Sequence, residues 1–274
     1  MKVISLVLLP GLDGTGNLFD PLKSNLHDWV KPIVVSYLKD KPYGYQSLKT
    51  IVSNALPINT DFVILGESFS GPLAVMVAGE KPRGLKGIIL CASFVRNPFK
   101  LIPSWFSLLS ISPIYKLWPA TIKLRTIFGN GKYRRLADMA LDSIKSVKPN
   151  VIARRVKAIL NVNVEKDLAK IDVPMLYLAS QKDHLIKKHN VVGIKKIRRE
   201  LIVTEINTQH FILQLEPKKS SDEIEIFIKT ISQPANTYKS SRCSRKTPQR
   251  DLEASGYSHC FDRITFGHSS QYFQ

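Results

Sequence analysis

Short runs that are apolar on both faces alternate with longer stretches of helical periodicity, first up to Ala92 and again from Val173 onward. Val3–Leu9, Ile33–Tyr37, Phe62–Leu65, Leu85–Ala92, Val173–Ala179 and Leu201–Ile206 read as strands. They are rich in β-branched and aromatic residues, too short for helices, and apolar at consecutive positions, as strands covered on both faces are. Leu18–Trp29, Gln46–Leu56, the run from Pro72 to Gly79, Lys188–Ile197 and Ser221–Ile231 read as helices. Strands alternating with helices at this spacing predict βαβ units with right-handed crossovers. The expected class is therefore α/β: a mainly parallel sheet of about six strands flanked by helices.

The rhythm stops between Asn97 and Lys170. No convincing strand occurs there, and helix-like segments are broken at Pro98, Pro103, Pro113, Pro119, Gly129-Asn130-Gly131 and Pro149. Residues 97–160 hold twelve Lys/Arg against two Asp/Glu, together with Leu101, Ile102, Trp105, Phe106, Trp118 and other large apolar groups. A helical, apolar and basic insertion between two strands suggests a lid, with Trp105 and Phe106 as its substrate-binding candidates. A plain helical subdomain whose aromatics form its own core is the other reading. The expected organisation is a core of residues 1–96 and 171–233, a helical lid of residues 97–170, and a basic tail of residues 234–274. The tail loses apolar periodicity after Pro234 and is expected to be disordered.

Composition narrows the class. With 44% hydrophobic residues and a mean hydropathy of -0.06, the 274-residue chain reads as a soluble globular protein. Met1–Leu9 superficially resembles a signal peptide, but the run is short, no small-residue cleavage site follows, and it ends at Pro10-Gly11; it reads as a buried strand. No stretch is long enough for a transmembrane segment. Cys91, Cys243 and Cys260 have no metal-ligand spacing and form an odd set, which fits a reducing, cytoplasmic setting and no bound metal. The net charge of +18 favours acidic partners. No zinc-finger spacing, aromatic RNA-binding motif or P-loop accompanies it, so no specific nucleic-acid partner is expected. A generally basic proteome would produce the same charge.

The chemistry centres on Asp61–Gly79, where Gly66-Glu67-Ser68-Phe69-Ser70-Gly71 joins a strand to a helix and follows G-x-S-x-G, with the small Ser70 at the second glycine position and Gly71 one residue later. A serine at so sharp a turn has strained backbone angles, and small residues two positions away let strand and helix approach. A capping serine in an ordinary βα turn is the bland alternative, so partners decide. A serine hydroxyl needs a base to take its proton, and the base needs a carboxylate to fix its tautomer. Asp183 and His210 follow in the expected order, each just past the carboxyl end of a strand. Asp183 is also a natural helix cap, and His210 also suits an ordinary loop. His184 and His189 lie too early for the base; His27 and Glu67 are not well placed for it, and His259 and His268 fit no strand. Two backbone N–H donors are expected to hold a developing oxyanion: Phe69, directly after the serine, and Leu12, in the loop after the first strand. The glycines of Gly11–Gly16 lack the register and the acidic residue of a nucleotide site.

Four segments together carry a family resemblance: L-L-P-G-L-D-G-T-G-N-L-F-D-P-L from Leu8, G-E-S-F-S-G from Gly66, K-D-H-L-I from Lys182 and T-Q-H-F-I-L-Q-L-E-P from Thr208. They resemble the α/β-hydrolase superfamily, and are most similar to its small bacterial serine hydrolases. The likeness covers roughly residues 3–231. It departs at Pro10-Gly11, where many relatives carry His-Gly, which puts the shape of the oxyanion loop in question. The resemblance implies cofactor-free hydrolysis of a small-molecule acyl ester or thioester through an acyl-enzyme on Ser68. Acyl transfer or lyase chemistry on the same residues, and a non-catalytic module binding acidic partners, stay open. Pimeloyl-acyl-carrier-protein methyl ester esterases, which are similar in having a basic lid, imply an acidic carrier protein as a further partner for residues 97–170.

Overall fold

The structure, a computed structural model, describes residues 2–99 and 134–232. Its centre is a six-stranded sheet: β1 (Ile4–Leu9), β2 (Val30–Val34), β3 (Phe62–Glu67), β4 (Leu85–Cys91), β5 (Met175–Ser180) and β6 (Ile202–Ile206). The strand order is β2-β1-β3-β4-β5-β6, and every pairing is parallel. The helices are α1 (Asp20–Lys23), α2 (Tyr45–Asn54), α3 (Gly71–Ala78), α4 (Arg134–Lys145), α5 (Pro149–Leu160), α6 (Glu165–Lys170), α7 (His189–Ile197), α8 (Ile212–Leu215) and α9 (Pro217–Ser232). None of these helices is long and apolar enough to cross a membrane.

Side chains alternate across a strand with a period of two, and the two faces of the sheet divide the core accordingly. Val7, Leu9, Ile64, Ile88 and Leu90 join α2 and α3 on one face through Leu48, Val52, Leu73 and Val77. Leu6, Leu8, Val63, Leu65 and Ile89 turn to the other, against Phe19, Leu22 and the α9 residues Ile224, Phe227 and Ile228. Central strands thus need apolar residues at every position, which is why they read as unbroken runs. β2 differs because it pairs with β1 alone. As an edge strand it tolerates Pro32, which has no N–H to give to a second neighbour.

Three expectations are corrected here. The helix expected over Leu18–Trp29 is a 3-10 turn at Asn17–Phe19 followed by the single turn α1. Ser24 Oγ and Asn25 Nδ2 bond back to the carbonyls of Asp20 and Pro21, and the His27 N–H goes to the Glu225 carboxylate, so local side-chain bonds replace helix propagation. The strand expected at Ile33–Tyr37 lies earlier, because its register with β1 begins at Val30 opposite Ile4. Val35 and Tyr37 are buried all the same, with their N–H groups on Leu8 O and Gly14 O. The closing helix starts at Pro217, four residues before the expected Ser221, with the proline in the first turn where its missing N–H costs nothing.

Within the expected insertion, the described part forms α4, α5 and α6. Ala137, Ala140 and Leu141 of α4 pack on Leu18 and Leu215, and Val162, Val164 and Leu168 join the main core. Trp105, Phe106 and the tail after Gln233 lie outside the described residues.

Candidate active site

The turn after β3 is built as a strained elbow. Ser68 has φ +47°, in the left-handed region that costs a side-chain-bearing residue energy. The residues two before it and three after it must be glycine. A Cβ on Gly66 would lie 2.6 Å from Ser70 O, and one on Gly71 would lie 1.7 Å from Ser93 Oγ. Ser93 Oγ in turn donates to the Ser68 carbonyl at 2.6 Å, and Tyr177 Oη donates to Ser93 O at 2.7 Å. Ser93, just past β4, and Tyr177, on β5, support the elbow, and the sequence offers no motif that would single them out.

Two loops bring side chains to Ser68. Asp183 follows β5 and His210 follows β6, and the loops are tied together: Ser180 Oγ donates to Thr208 O at 2.6 Å, and the N–H groups of Gln181 and Lys182 donate to Ile206 O and Thr208 O, each at 3.0 Å. His210 Nε2 lies 3.0 Å from Ser68 Oγ, and His210 Nδ1 lies 2.8 Å from Asp183 Oδ2. The other Asp183 oxygen accepts the N–H groups of Leu185 at 2.7 Å and Ile186 at 2.8 Å. The carboxylate therefore closes a local turn and faces the imidazole at once. Burial pushes Asp183 up, but its bond to His210, the His210 charge and the two N–H bonds outweigh it and hold the carboxyl below its usual range. An Asp kept ionised beside Nδ1 makes Nδ1 the donor and leaves Nε2 to accept from Ser68 Oγ.

The expected oxyanion donors lie at the same end of the sheet. β1 and β3 are neighbours with Leu9 opposite Gly66, so Leu12 and Phe69 both lie just beyond that level. Three bonds hold the elbow, one of them tying it to the loop after β1. Tyr37 Oη donates to Ser70 Oγ at 2.7 Å, Ser70 Oγ donates to Pro10 O, and Tyr45 Oη donates to Phe69 O at 2.8 Å. The Tyr45 and Phe69 rings stack at 4.9 Å. Asp13, buried, accepts the Thr15 N–H at 2.9 Å and the Thr15 hydroxyl.

Glu67 is buried beside Ser68, and Gln214 Nε2 donates to its Oε1 at 2.9 Å. Burial pushes its carboxyl up to about 7; the Asp13 charge adds to that, while the Gln214 bond and the His210 charge oppose it. Gln214 Oε1 has no hydrogen-bond partner among the described residues. His27 is bonded to Glu225 at 2.8 Å, outside this constellation, and His184 is exposed. Cys91 is fully buried in β4, where desolvation pushes its thiol up and away from reactivity. Among the described residues no group of three His, Cys, Asp or Glu is placed to hold a metal ion.

No family model and no curated protein matches the chain. Solved structures do. A lipase-esterase related protein from Clostridium acetobutylicum is 17% identical with a TM-score of 0.67, over 82% of this chain and 95% of that one. An esterase from Exiguobacterium antarcticum is 15% identical with a TM-score of 0.71, over 83% and 92%. The chain has the α/β-hydrolase fold. A bromoperoxidase from Bacillus anthracis matches equally well, at 12% identity and a TM-score of 0.69 over 84% and 92%. One α/β-hydrolase architecture thus carries more than one chemistry, and the reaction has to be argued from the site.

Proposed function

We propose that this α/β-hydrolase-fold protein is a serine hydrolase that cleaves a carboxylic ester or thioester through an acyl-enzyme on Ser68. The observation that carries the reading is the unbroken chain from Ser68 Oγ through His210 to Asp183, at 3.0 and 2.8 Å. Ser68 Oγ attacks the acyl carbonyl while His210 Nε2 takes its proton, and Asp183 stabilises the imidazolium. The N–H groups of Phe69 and Leu12 receive the oxyanion. Collapse expels the alcohol or thiol, protonated by His210, and leaves the acyl group on Ser68. Water then repeats the sequence, giving its proton to His210 and releasing the acid. No cofactor enters the scheme. The esterase names of two structural neighbours support an ester substrate.

In the same reading, residues 97–170 form a lid inserted into the core of residues 1–96 and 171–233, and the free buried Cys91 suits a cytoplasmic protein. Exposed Lys145, Lys148 and Arg154 on and between α4 and α5 favour an acyl group delivered by an acidic carrier protein as a second form of substrate.

The test is hydrolysis of p-nitrophenyl esters of increasing acyl length by wild type and Ser68→Ala. The variant is expected to lose roughly 10⁴- to 10⁶-fold in kcat, with a fluorophosphonate labelling only the wild type. Retained turnover in a folded Ser68→Ala protein would remove Ser68 from the reaction.

A further inference from the structure

The oxyanion loop has a partner that the proposed mechanism does not use. Arg155, on α5, is fully buried although it is an arginine from the basic insertion. Its Nη1 donates to Leu12 O at 2.9 Å and to Asp13 O at 2.7 Å, and its Nη2 donates to Leu38 O at 3.1 Å. Gly14, at φ +67°, folds the loop down onto the guanidinium: a Cβ there would lie 2.6 Å from Nη1. The guanidinium also sits 5.6 Å from the centroid of the Tyr37 ring, whose hydroxyl reaches Ser70.

The consequence lies in the peptide planes. Peptide bonds here are all trans, so each N–H points opposite to the carbonyl of the preceding residue. Pro10 O is held by Ser70 Oγ, Gly11 O by the Gly14 N–H at 3.1 Å, and Leu12 O by Arg155. Three successive planes are thus oriented through their carbonyls. The Leu12 N–H, in the middle plane, points away from Gly11 O, and the Gly14 N–H that holds Gly11 O shares its own plane with Asp13 O, which Arg155 holds. Among the described residues, only Ser70 and Arg155 reach the two flanking planes from outside the loop. Charged donors make the stronger bonds to carbonyls, and the planar fork reaches Leu12 and Asp13 with one terminal nitrogen and Leu38 with the other, where a lysine offers a single nitrogen.

We infer that Arg155 is the positioning residue of the oxyanion loop: it aims the Leu12 N–H by holding the carbonyls of Leu12 and Asp13, and so makes α5 a structural part of the active site. The inference rests on the serine-hydrolase reading, and it adds a residue that touches no reacting atom.

The experiment compares Arg155→Lys with Val151→Ala, which empties a fully buried position one turn earlier on the same helix and removes no hydrogen bond to the loop. For R155K, kcat on a p-nitrophenyl ester falls roughly 10- to 100-fold with KM within about 3-fold, since a misaimed donor is lost in the transition state and not in substrate binding. Affinity for a trifluoromethyl ketone, which forms the tetrahedral adduct, falls with kcat, and hydrogen exchange in residues 10–15 accelerates. V151A lowers Tm and keeps kcat within about 2-fold. Wild-type kcat in R155K overturns the inference. Loss of kcat in step with Tm in both variants also overturns it, as does an R155K protein that fails to fold beside a folded V151A, because Arg155 would then be scaffold. Wild type that neither hydrolyses esters nor reacts with a fluorophosphonate refutes the serine-hydrolase reading instead. Hydrogen exchange at residues 10–15 in R155K still decides whether Arg155 holds the loop.

Discussion

Glu67→Gln should make the protein more stable, and the gain should grow with pH. The Glu67 carboxyl is 6% exposed and titrates at about 7 in the folded protein against 4.5 for a free glutamate. A shift of this size amounts to about 3 kcal/mol against the ionised form. The sign follows from proton binding. Between those two values the folded protein keeps a proton that the unfolded chain has released, so the contribution of Glu67 to stability falls as pH rises through the window. Glutamine is neutral throughout and has the same shape. Its carbonyl can still accept from Gln214 Nε2, and its amide can donate to Gln214 Oε1, which lacks a partner among the described residues. E67Q should therefore exceed wild type by up to about 3 kcal/mol at pH 8 and by under ~1 kcal/mol at pH 5. Urea unfolding at pH 5, 6, 7 and 8, with the denaturant slope checked for constancy, measures this directly. Parallel pH profiles for the two proteins would show that Glu67 does not titrate in this range, and the desolvation argument would fail.

Other expectations follow from the same geometry. Asp183→Asn should cost roughly 10⁴-fold in kcat, because an amide neither balances the imidazolium nor fixes Nδ1 as the donor; steady-state kinetics on the ester series measures it. The same variant should flatten the acid limb of stability, since a depressed carboxylate contributes above its unfolded pKa and loses that contribution as pH falls through the folded value. Gly71→Ala drives a Cβ to 1.7 Å from Ser93 Oγ and should cost ~3 kcal/mol or more; adding Ser93→Gly should return part of the lost Tm. Tyr45→Phe keeps the stack on Phe69 but strips its carbonyl of a buried donor, for a loss of about 1 kcal/mol by chemical denaturation.

What was legible in the sequence depended on whether the constraint was local. β1, β3 and β4 announced themselves because a strand covered on both faces must be apolar at every position, and Gly or Pro punctuates its end. Ser68 was legible for a similar reason. The close approaches at Gly66 and Gly71 leave room for little else, so the requirement is written within six residues. Asp183 and His210 were found by chain order, since each follows the end of a strand whose apolar run can be read. The errors at Leu18–Trp29 and Ile33–Tyr37 arose where helical spacing and strand propensity competed with bonds to distant groups, such as the His27 N–H on Glu225.

Arg155 shows the limit most clearly. On α5 it sits one position after exposed Arg154 and two before half-buried Lys157, and nothing in its own helix marks it as different. Its burial is decided by carbonyls of Leu12, Asp13 and Leu38, more than a hundred residues earlier, that the loop cannot satisfy for itself. A buried backbone carbonyl without a donor costs as much as a lost hydrogen bond. The loop after β1 ends with Gly14 folded inward, and so creates a demand that a forked cation meets. Glu67 and Gln214 are a smaller instance: a carboxyl next to Ser68, buried by the closeness of the elbow, meets an amide 147 positions away. In both cases the strands set where the chain ends come together, and the loops then need polar partners from wherever the fold brings them.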